Sequence, residues 1–282
     1  MTEWFTETLH PWLAQRLRMD RVLYREKTEH QDLIIFENEK FGRVLTLDGV
    51  VQTTEGDEFV YHEMLTHVPL TAHGNAKRVL IIGGGDGGMA REVLKHPEVE
   101  HLTMVEIDRA VVDMSVEHLP SLSAGAFDDD RFELVITDGA AYVAETGDRF
   151  DVIIVDSTDP IGPGEVLFTA EFYANCKRCL TEGGIVVTQN GVPALQGSEV
   201  TNSWDRLGKS FADVWFFVAP VPTYQGGFMA FGWATDDAAK RKTELPVLEE
   251  RFAKAEIATR YYTPAVHQGS FALPRFILDL LK

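Results

Sequence analysis

Cysteine is nearly absent from this chain. Cys176 and Cys179 are the only two in 282 residues. Their C-x-x-C spacing falls late in a helical pattern, Ala170 to Leu180, whereas a redox pair belongs at a strand-to-helix turn, and two ligands are too few for a structural zinc site. The expectation is two small apolar residues sharing one helix face. Positive charge is also scarce. Lys and Arg number 26 against 44 Asp and Glu, a formal charge of −18. That argues against nucleic acid and anionic membrane as partners and permits cationic substrates, although most of these acids read as a solvated surface. No apolar run approaches the ~20 residues of a membrane span. MTEWFTETLH lacks the basic and apolar stretches of a secretory leader, so the cytoplasm is the expected compartment. There are no internal repeats, low-complexity tracts or long linkers. No His/Cys/Asp set has metal-ligand spacing and no G-x-S-x-G is present, so no metal is expected.

Glycine, by contrast, is dense in one short stretch. Arg78 to Gly88 reads RVLIIGGGDGG. Val79 to Ile82 is fully apolar, as a strand covered on both faces would be. The spacing G-x-G-x-x-G follows at Gly83, Gly85 and Gly88, and Met89 to Lys95 reads as a helix. Such a loop turns sharply and lets a nucleotide approach a helix N-terminus. Asp86 inside it is unusual, because a carboxylate there suits a cation and repels a phosphate.

The rest of the chain falls into place around that stretch. Residues 1–18 read as a short amphipathic segment with Trp4, Phe5, Leu9, Trp12, Leu13 and Leu17 as its apolar set. Strand periodicity runs from Val22 to Thr54, with Asp48-Gly49 as a hairpin signal. Phe59 to Val68 is predicted helical and closed by Pro69. From residue 78, strands at 79–82, 102–105, 133–137, 151–155 and 185–188 alternate with helices at about 88–95, 109–117, 139–145 and 169–180. Residues 214–219 and 228–234 look like an antiparallel pair at the sheet edge. Helices are predicted at 245–256 and after Pro274. The expected fold is α/β: a small β domain over 1–57, then a Rossmann-like domain over 58–282 with a mostly parallel, doubly wound sheet and an antiparallel edge.

Ligands of such a sheet bind outside the carboxyl ends of its strands. Each of the first four strands delivers an acid there: Asp86; Glu106 with Asp108; Asp138 before Gly139; and Asp156-Ser157-Thr158-Asp159. Any one of them can be a helix cap; four together suggest more. Glu106 stands where an acid grips a ribose hydroxyl pair, and Asp138 with Gly139 suits an adenine amino group. Asp86, Asp156 and Asp159 are left for a polycationic ligand, and their mutual repulsion favours proton acceptance by one of them. Ser157 to Gly164 reads as a loop at this rim, a lid or a plain connector.

Several stretches together resemble the spermidine synthases, the polyamine aminopropyltransferases, and most closely the bacterial ones. They are HQDLIIFEN (30–38), LDGVVQTTEGDEFVYHEM (47–64), VLIIGGGDGG (79–88), MVEID (104–108), DSTDPIGPGE (156–165), PTYQGG (222–227) and YYTPAVHQGSFALP (261–274). The resemblance implies transfer of an aminopropyl group from decarboxylated S-adenosylmethionine to putrescine, with methylthioadenosine released. It implies no cofactor or metal, and usually a homodimer. By position Asp156 resembles the general base. Asp159, His62, Ser157 and Thr158 resemble amine-site residues, and Asp86 the residue holding the aminopropyl ammonium. Gln31, Glu106, Asp138, Gly139 and Pro163 resemble nucleoside contacts. Tyr61 and Tyr224 resemble aromatic walls of the diamine channel. Val166 departs from the pattern, since relatives often carry Ser or Thr there. The alternative on the same fold is an S-adenosylmethionine-dependent diamine N-methyltransferase. A nicotinamide dehydrogenase and a polyamine-binding sensor are further rivals.

Overall fold

The computed structural model describes residues 3–160 and 162–282. Six strands come first: β1 (Glu3–His10), β2 (Leu13–Met19), β3 (Arg21–Lys27), β4 (Asp32–Asn38), β5 (Gly42–Leu47) and β6 (Val50–Thr54). β1 and β2 form a hairpin, and β3 to β6 form a four-stranded antiparallel sheet. Asp48 and Gly49, at φ 49 and 77, make the two-residue turn that Asp-Gly favours. The amphipathic segment expected over residues 1–18 is therefore a β-hairpin. Its apolar residues alternate across strands instead of forming a helical stripe. Phe5, Leu17 and Met19 pack on Phe36, Val44 and Val51 of the sheet, whereas Trp4 and Trp12 stand exposed. The sheet's other face packs Leu33, Ile35 and Leu45 on Leu119 and Leu122 of the larger unit.

Next comes α1 (Glu58–His73), which passes Pro69 instead of ending there. An interior proline costs a helix about 3 kcal/mol. Met64, Leu65, Val68 and Leu70 on the same helix are wholly buried, each contributing roughly 1.5–3 kcal/mol, so packing outweighs the lost bond. Gly74, at φ 80, closes the helix, its amide donating to Leu70 O at 2.9 Å.

The alternating part runs β7 (Arg78–Gly83), α2 (Gly88–Leu94), β8 (His101–Glu106), α3 (Arg109–His118), α4 (Pro120–Ser123), β9 (Phe132–Ile136), α5 (Gly139–Glu145), β10 (Phe150–Asp156), α6 (Ala170–Arg178), β11 (Leu180–Gln189), α7 (Pro193–Leu207), β12 (Asp213–Ala219) and β13 (Met229–Thr235). Helices α8 (Ala238–Arg241), α9 (Leu245–Ala255), α10 (Pro264–Ser270) and α11 (Arg275–Leu278) complete the chain. The strands form one sheet in the order β12-β13-β11-β10-β7-β8-β9, parallel from β11 to β9 and antiparallel where β13 and β12 join. β7 shows why its sequence is apolar throughout. Val79 and Ile81 enter the core beneath α1 and α2, while Leu80 and Ile82 enter the opposite core with Val143, Phe172 and Tyr173 of α5 and α6. Cys176 and Cys179 are free, buried and part of that second core. No helix is predicted over 193–207, where α7 lies. Its polar run from Gln196 to Glu199 carries no apolar stripe, and the helix is broken at Gln196 (φ −123, ψ 39). No helix among the described residues is long and apolar enough to cross a membrane.

Candidate active site

The strand order turns back between β7 and β10. β8 and β9 lie beyond one, β11 and β13 beyond the other, so their following segments diverge and leave a crevice. A cavity of about 390 Å³ opens there. Gly83 pairs with Asp156 across the two strands. Gly83 has φ +86, and a Cβ on it would lie 2.0 Å from the Asp156 carbonyl, so only glycine allows this approach. Gly88, the last glycine of the motif, has a different reason. A Cβ there would meet the His62 ring at 2.3 Å, so this glycine makes room for a side chain of the site.

Asp156 ends β10 and faces inward. Its Oδ1 accepts from the Tyr61 hydroxyl at 2.6 Å. Burial raises its pKa to about 6, opposed by the nearby His62 and the Tyr61 bond and reinforced by Asp86. Asp86 turns back over its loop, accepting from the Gly88 amide at 2.8 Å, with its other oxygen 3.5 Å from His62 Nε2. The opposite ring nitrogen of His62 lies 2.6 Å from Glu58, which Arg91 holds at 2.8 Å. Burial alone would depress the imidazole, but Asp86 and Glu58 raise it well above its usual range. His62 is thus a buried cation between two carboxylates rather than a plain core histidine.

At the end of the cavity beside β8 and β9, Glu106 closes β8 and accepts from the Asp108 amide at 2.9 Å. Burial lifts its pKa to about 7 against the pull of the Asp108 and Ile107 amides. Asp108 caps α3 and binds Thr28 (2.7 Å) and Gln31 (3.1 Å), which ties the N-terminal sheet to this end. Asp138 is the N-cap of α5, accepting from Ala140 and Ala141, while also lining the cavity with Gly139 and Gln31. A Cβ on Gly139 would sit 2.4 Å from Ile82, so glycine is required there by helix-on-strand packing, whether or not a base approaches. Pro163 falls in the 3₁₀ turn Gly162–Phe168; its side chain, like Ile161 in the same loop, lies outside the described residues.

At the other end stand Tyr224, whose ring meets Tyr61 edge-on at 6.1 Å, and Asp159, whose carboxyl burial pushes up. Ser157 Oγ is buried with no partner among the described residues. Thr158 offers its carbonyl to Gln189 at 3.1 Å. Sequence reasoning missed several groups here. Glu7, His10 and Gln15 of the hairpin and Gln189, Leu195 and Gln196 also line the cavity. Asp57 accepts from the Thr223 amide at 2.6 Å and from its hydroxyl, pinning the Tyr224 loop to the start of α1. None of these had a local pattern to announce it. Among the described residues the lining includes Glu7, Asp48, Asp86, Glu106, Asp138, Asp156 and Asp159, but no Lys or Arg. A space whose carboxylates outnumber the His62 imidazolium that offsets Asp86 selects positively charged ligands.

Comparison with known proteins agrees. A family model described as the spermine/spermidine synthase domain matches residues 58–243, and one described as the spermidine synthase tetramerisation domain matches residues 3–55. A polyamine aminopropyltransferase of Pectobacterium carotovorum is 61% identical over 279 residues, covering 99% of this chain and 97% of the relative. That of a Ruegeria strain is 62% identical over 277 residues, covering 98% of each. A solved spermidine synthase in complex with the transition-state analogue AdoDATO superposes with a TM-score of 0.94 at 40% identity, covering 99% of this chain and 94% of that one. The Thermotoga maritima spermidine synthase gives 0.91 at 38% identity, with the same coverage of both chains.

Proposed function

The chain belongs to the spermine/spermidine synthase family and is an aminopropyltransferase, and from that premise we propose that it makes spermidine from putrescine and decarboxylated S-adenosylmethionine, with Asp156 as the general base. The observation that carries the proposal is the cavity wall itself, acidic at both ends and without Lys or Arg among the described residues. Both substrates are cations.

The nucleoside lies toward Glu106, whose carboxylate takes the ribose hydroxyls, with Asp138, Gly139, Gln31 and Pro163 around the base. The aminopropyl ammonium goes to Asp86. Putrescine lies between the Tyr61 and Tyr224 rings, its distal ammonium at Asp159, with His62, Ser157 and Thr158 around it. The proximal nitrogen forms a bond to the propyl carbon attached to sulfur. That C–S bond breaks, its electron pair stays on sulfur, and the sulfonium becomes the neutral thioether of methylthioadenosine. The acceptor ammonium must shed one proton to expose its lone pair, so the reaction releases one proton overall. A free primary ammonium titrates near 10 and Asp156 at about 6, so outright transfer is uphill by about 5 kcal/mol. The sulfonium brought against the nitrogen repels that proton and closes part of the gap. Asp156 takes it ahead of C–N bond formation, and collapse of the sulfonium to a neutral thioether draws the uphill step forward. The remainder of the rate comes from alignment and exclusion of water.

We further propose that the enzyme works in the cytoplasm without cofactor or metal and assembles at least as a homodimer. The match of residues 3–55 to a tetramerisation domain supports assembly, and light scattering measures it. The two-part division at residue 57 remains a proposal; it places the hairpin and four-stranded sheet in one part and α1 onward in the other. The function is tested by incubation with putrescine and either decarboxylated or intact S-adenosylmethionine, with products read by mass. Spermidine from the decarboxylated donor alone is expected. N-methylputrescine from the intact donor would instead establish the methyltransferase alternative.

A further inference from the structure

One acid near the amine end has no place in the chemistry above. Glu199 lies on α7 just after the break at Gln196. Its Oε1 accepts from Gln196 Nε2 at 2.8 Å. Its Oε2 is buried with no hydrogen-bond partner among the described residues. That oxygen lies 2.6 Å from where a Cβ on Gly191 would stand, so the absence of a side chain at Gly191, itself a wall residue, lets Glu199 close up behind the cavity. Gln196 is held in place from its other side, its Oε1 accepting from the Val192 amide at 2.9 Å.

We propose that Glu199 is a specificity-determining residue of the amine end, which gives up a proton to solvent when the acceptor's distal ammonium arrives and thereby favours acceptors carrying two charges. It acts through Gln196 and Asp159 rather than by touching the substrate. The inference rests on the spermidine-synthase assignment of this cavity.

The groups facing this end are few. Asp159 comes from the loop after β10 and Glu7 and His10 from the hairpin; behind the wall Tyr173 of α6 feels the Glu199 charge, its hydroxyl 3.2 Å from Ser203. Burial and the repulsion of Asp159 raise the Glu199 pKa to about 8, while the Gln196 bond pulls it down. Glu7 and Asp159 are likewise raised by burial. An unpartnered carboxylate oxygen beside other carboxylates needs either a proton or a cation. In the empty site Glu199 carries the proton. An ammonium at Asp159 supplies the missing charge, the pKa falls, and the proton leaves to buffer. A monoamine brings no second ammonium and leaves Glu199 protonated.

The experiment is calorimetric binding of putrescine and of n-butylamine to the intact enzyme saturated with methylthioadenosine. It is run near pH ~7.5 in two buffers of different ionisation enthalpy, with wild type, Glu199→Gln and Glu199→Asp. Wild type is expected to release about half a proton more than Glu199→Gln on binding putrescine, with no such difference for n-butylamine. Glu199→Asp, which keeps an acid, should retain the release. In turnover, Glu199→Gln should raise the putrescine KM about threefold, the affinity change linked to that half proton, with kcat within about twofold, and leave the donor KM unchanged. Equal proton release in wild type and Glu199→Gln, or equal losses for the diamine and the monoamine, would overturn the proposal. If wild type does not turn putrescine over at all, the assignment of the whole cavity fails instead.

Discussion

The two ends of the cavity are built in opposite ways. At the end proposed for the nucleoside each acid ends or closely follows a parallel strand and sits at or beside the N-terminus of the next helix: Glu106 as the last residue of β8, with Asp108 capping α3, and Asp138 capping α5. Backbone amides hold these carboxylates, so their geometry follows from the βα unit alone. At the amine end the groups come from elements far apart in sequence. Glu7 and His10 arrive on the hairpin, Asp159 on a loop, Gln196 and Glu199 on a broken helix, and Tyr224 on a loop pinned by Asp57. Little there is fixed by neighbours in the chain. One end is rigid because the fold requires it; the other is assembled by packing, where substrate range can change without disturbing the sheet. Asp156 and Asp86 stand at the junction.

If that division holds, variants at the junction lose catalysis and variants at each end lose only their own ligand. The largest effect is expected for Asp156→Asn, which removes the base and should lower kcat by ~10²–10⁴ with methylthioadenosine binding retained. Turnover within threefold of wild type would take Asp156 out of the mechanism. Next is Glu106→Gln. Loss of charged hydrogen bonds to the ribose should weaken methylthioadenosine about ten- to a hundredfold in a titration, while the putrescine KM stays put. A comparable rise in the putrescine KM would merge the two ends into one. Tyr61→Phe is a finer probe. The Tyr61 bond stabilises the ionised Asp156, so its loss should move the acid limb of kcat/KM upward from about 6. A limb that stays or moves down contradicts the assignment.

The smallest effect is on stability. Glu106 titrates at about 7 when folded against an ordinary 4.5. The folded state therefore binds the extra proton, and the stability of the empty enzyme falls as pH rises through that window. Glu106→Gln removes this cost. It should match wild type near pH ~4 and exceed it by up to about 3 kcal/mol above pH ~7 in urea unfolding. A constant difference across pH would mean that the carboxyl is not held neutral by burial.

What was legible in the sequence follows the same division. The strand ends, their acids and the glycine loop could be read because alternating apolar strands and helices fix where the rim lies. Tyr61 and His62 came in through the family resemblance, but Glu58 and the placing of His62 between it and Asp86 did not, since that arrangement depends on α1 crossing the loop at Gly88. At the amine end Asp159 and Tyr224 were named through the resemblance, but the groups on the hairpin and on α7 were not legible. The hairpin's alternating residues were split by Pro11 and resembled one amphipathic segment. α7 is broken at Gln196 and carries too many polar residues for a stripe. Pro69 reads as a helix end in the sequence because the burial that tolerates it is tertiary.

Carboxylates in excess over the His62 cation decide what enters this cavity. The direct test is calorimetric binding of decarboxylated and intact S-adenosylmethionine without acceptor, to wild type and Asp86→Asn. Two like charges ~4 Å apart at an effective dielectric of ~20 repel by about 4 kcal/mol, roughly a thousandfold. His62, 3.5 Å from Asp86, offsets part of that repulsion, so a preference of about ten- to a hundredfold for the decarboxylated donor is expected, narrowing in Asp86→Asn. Equal affinity of wild type for the two donors would contradict it.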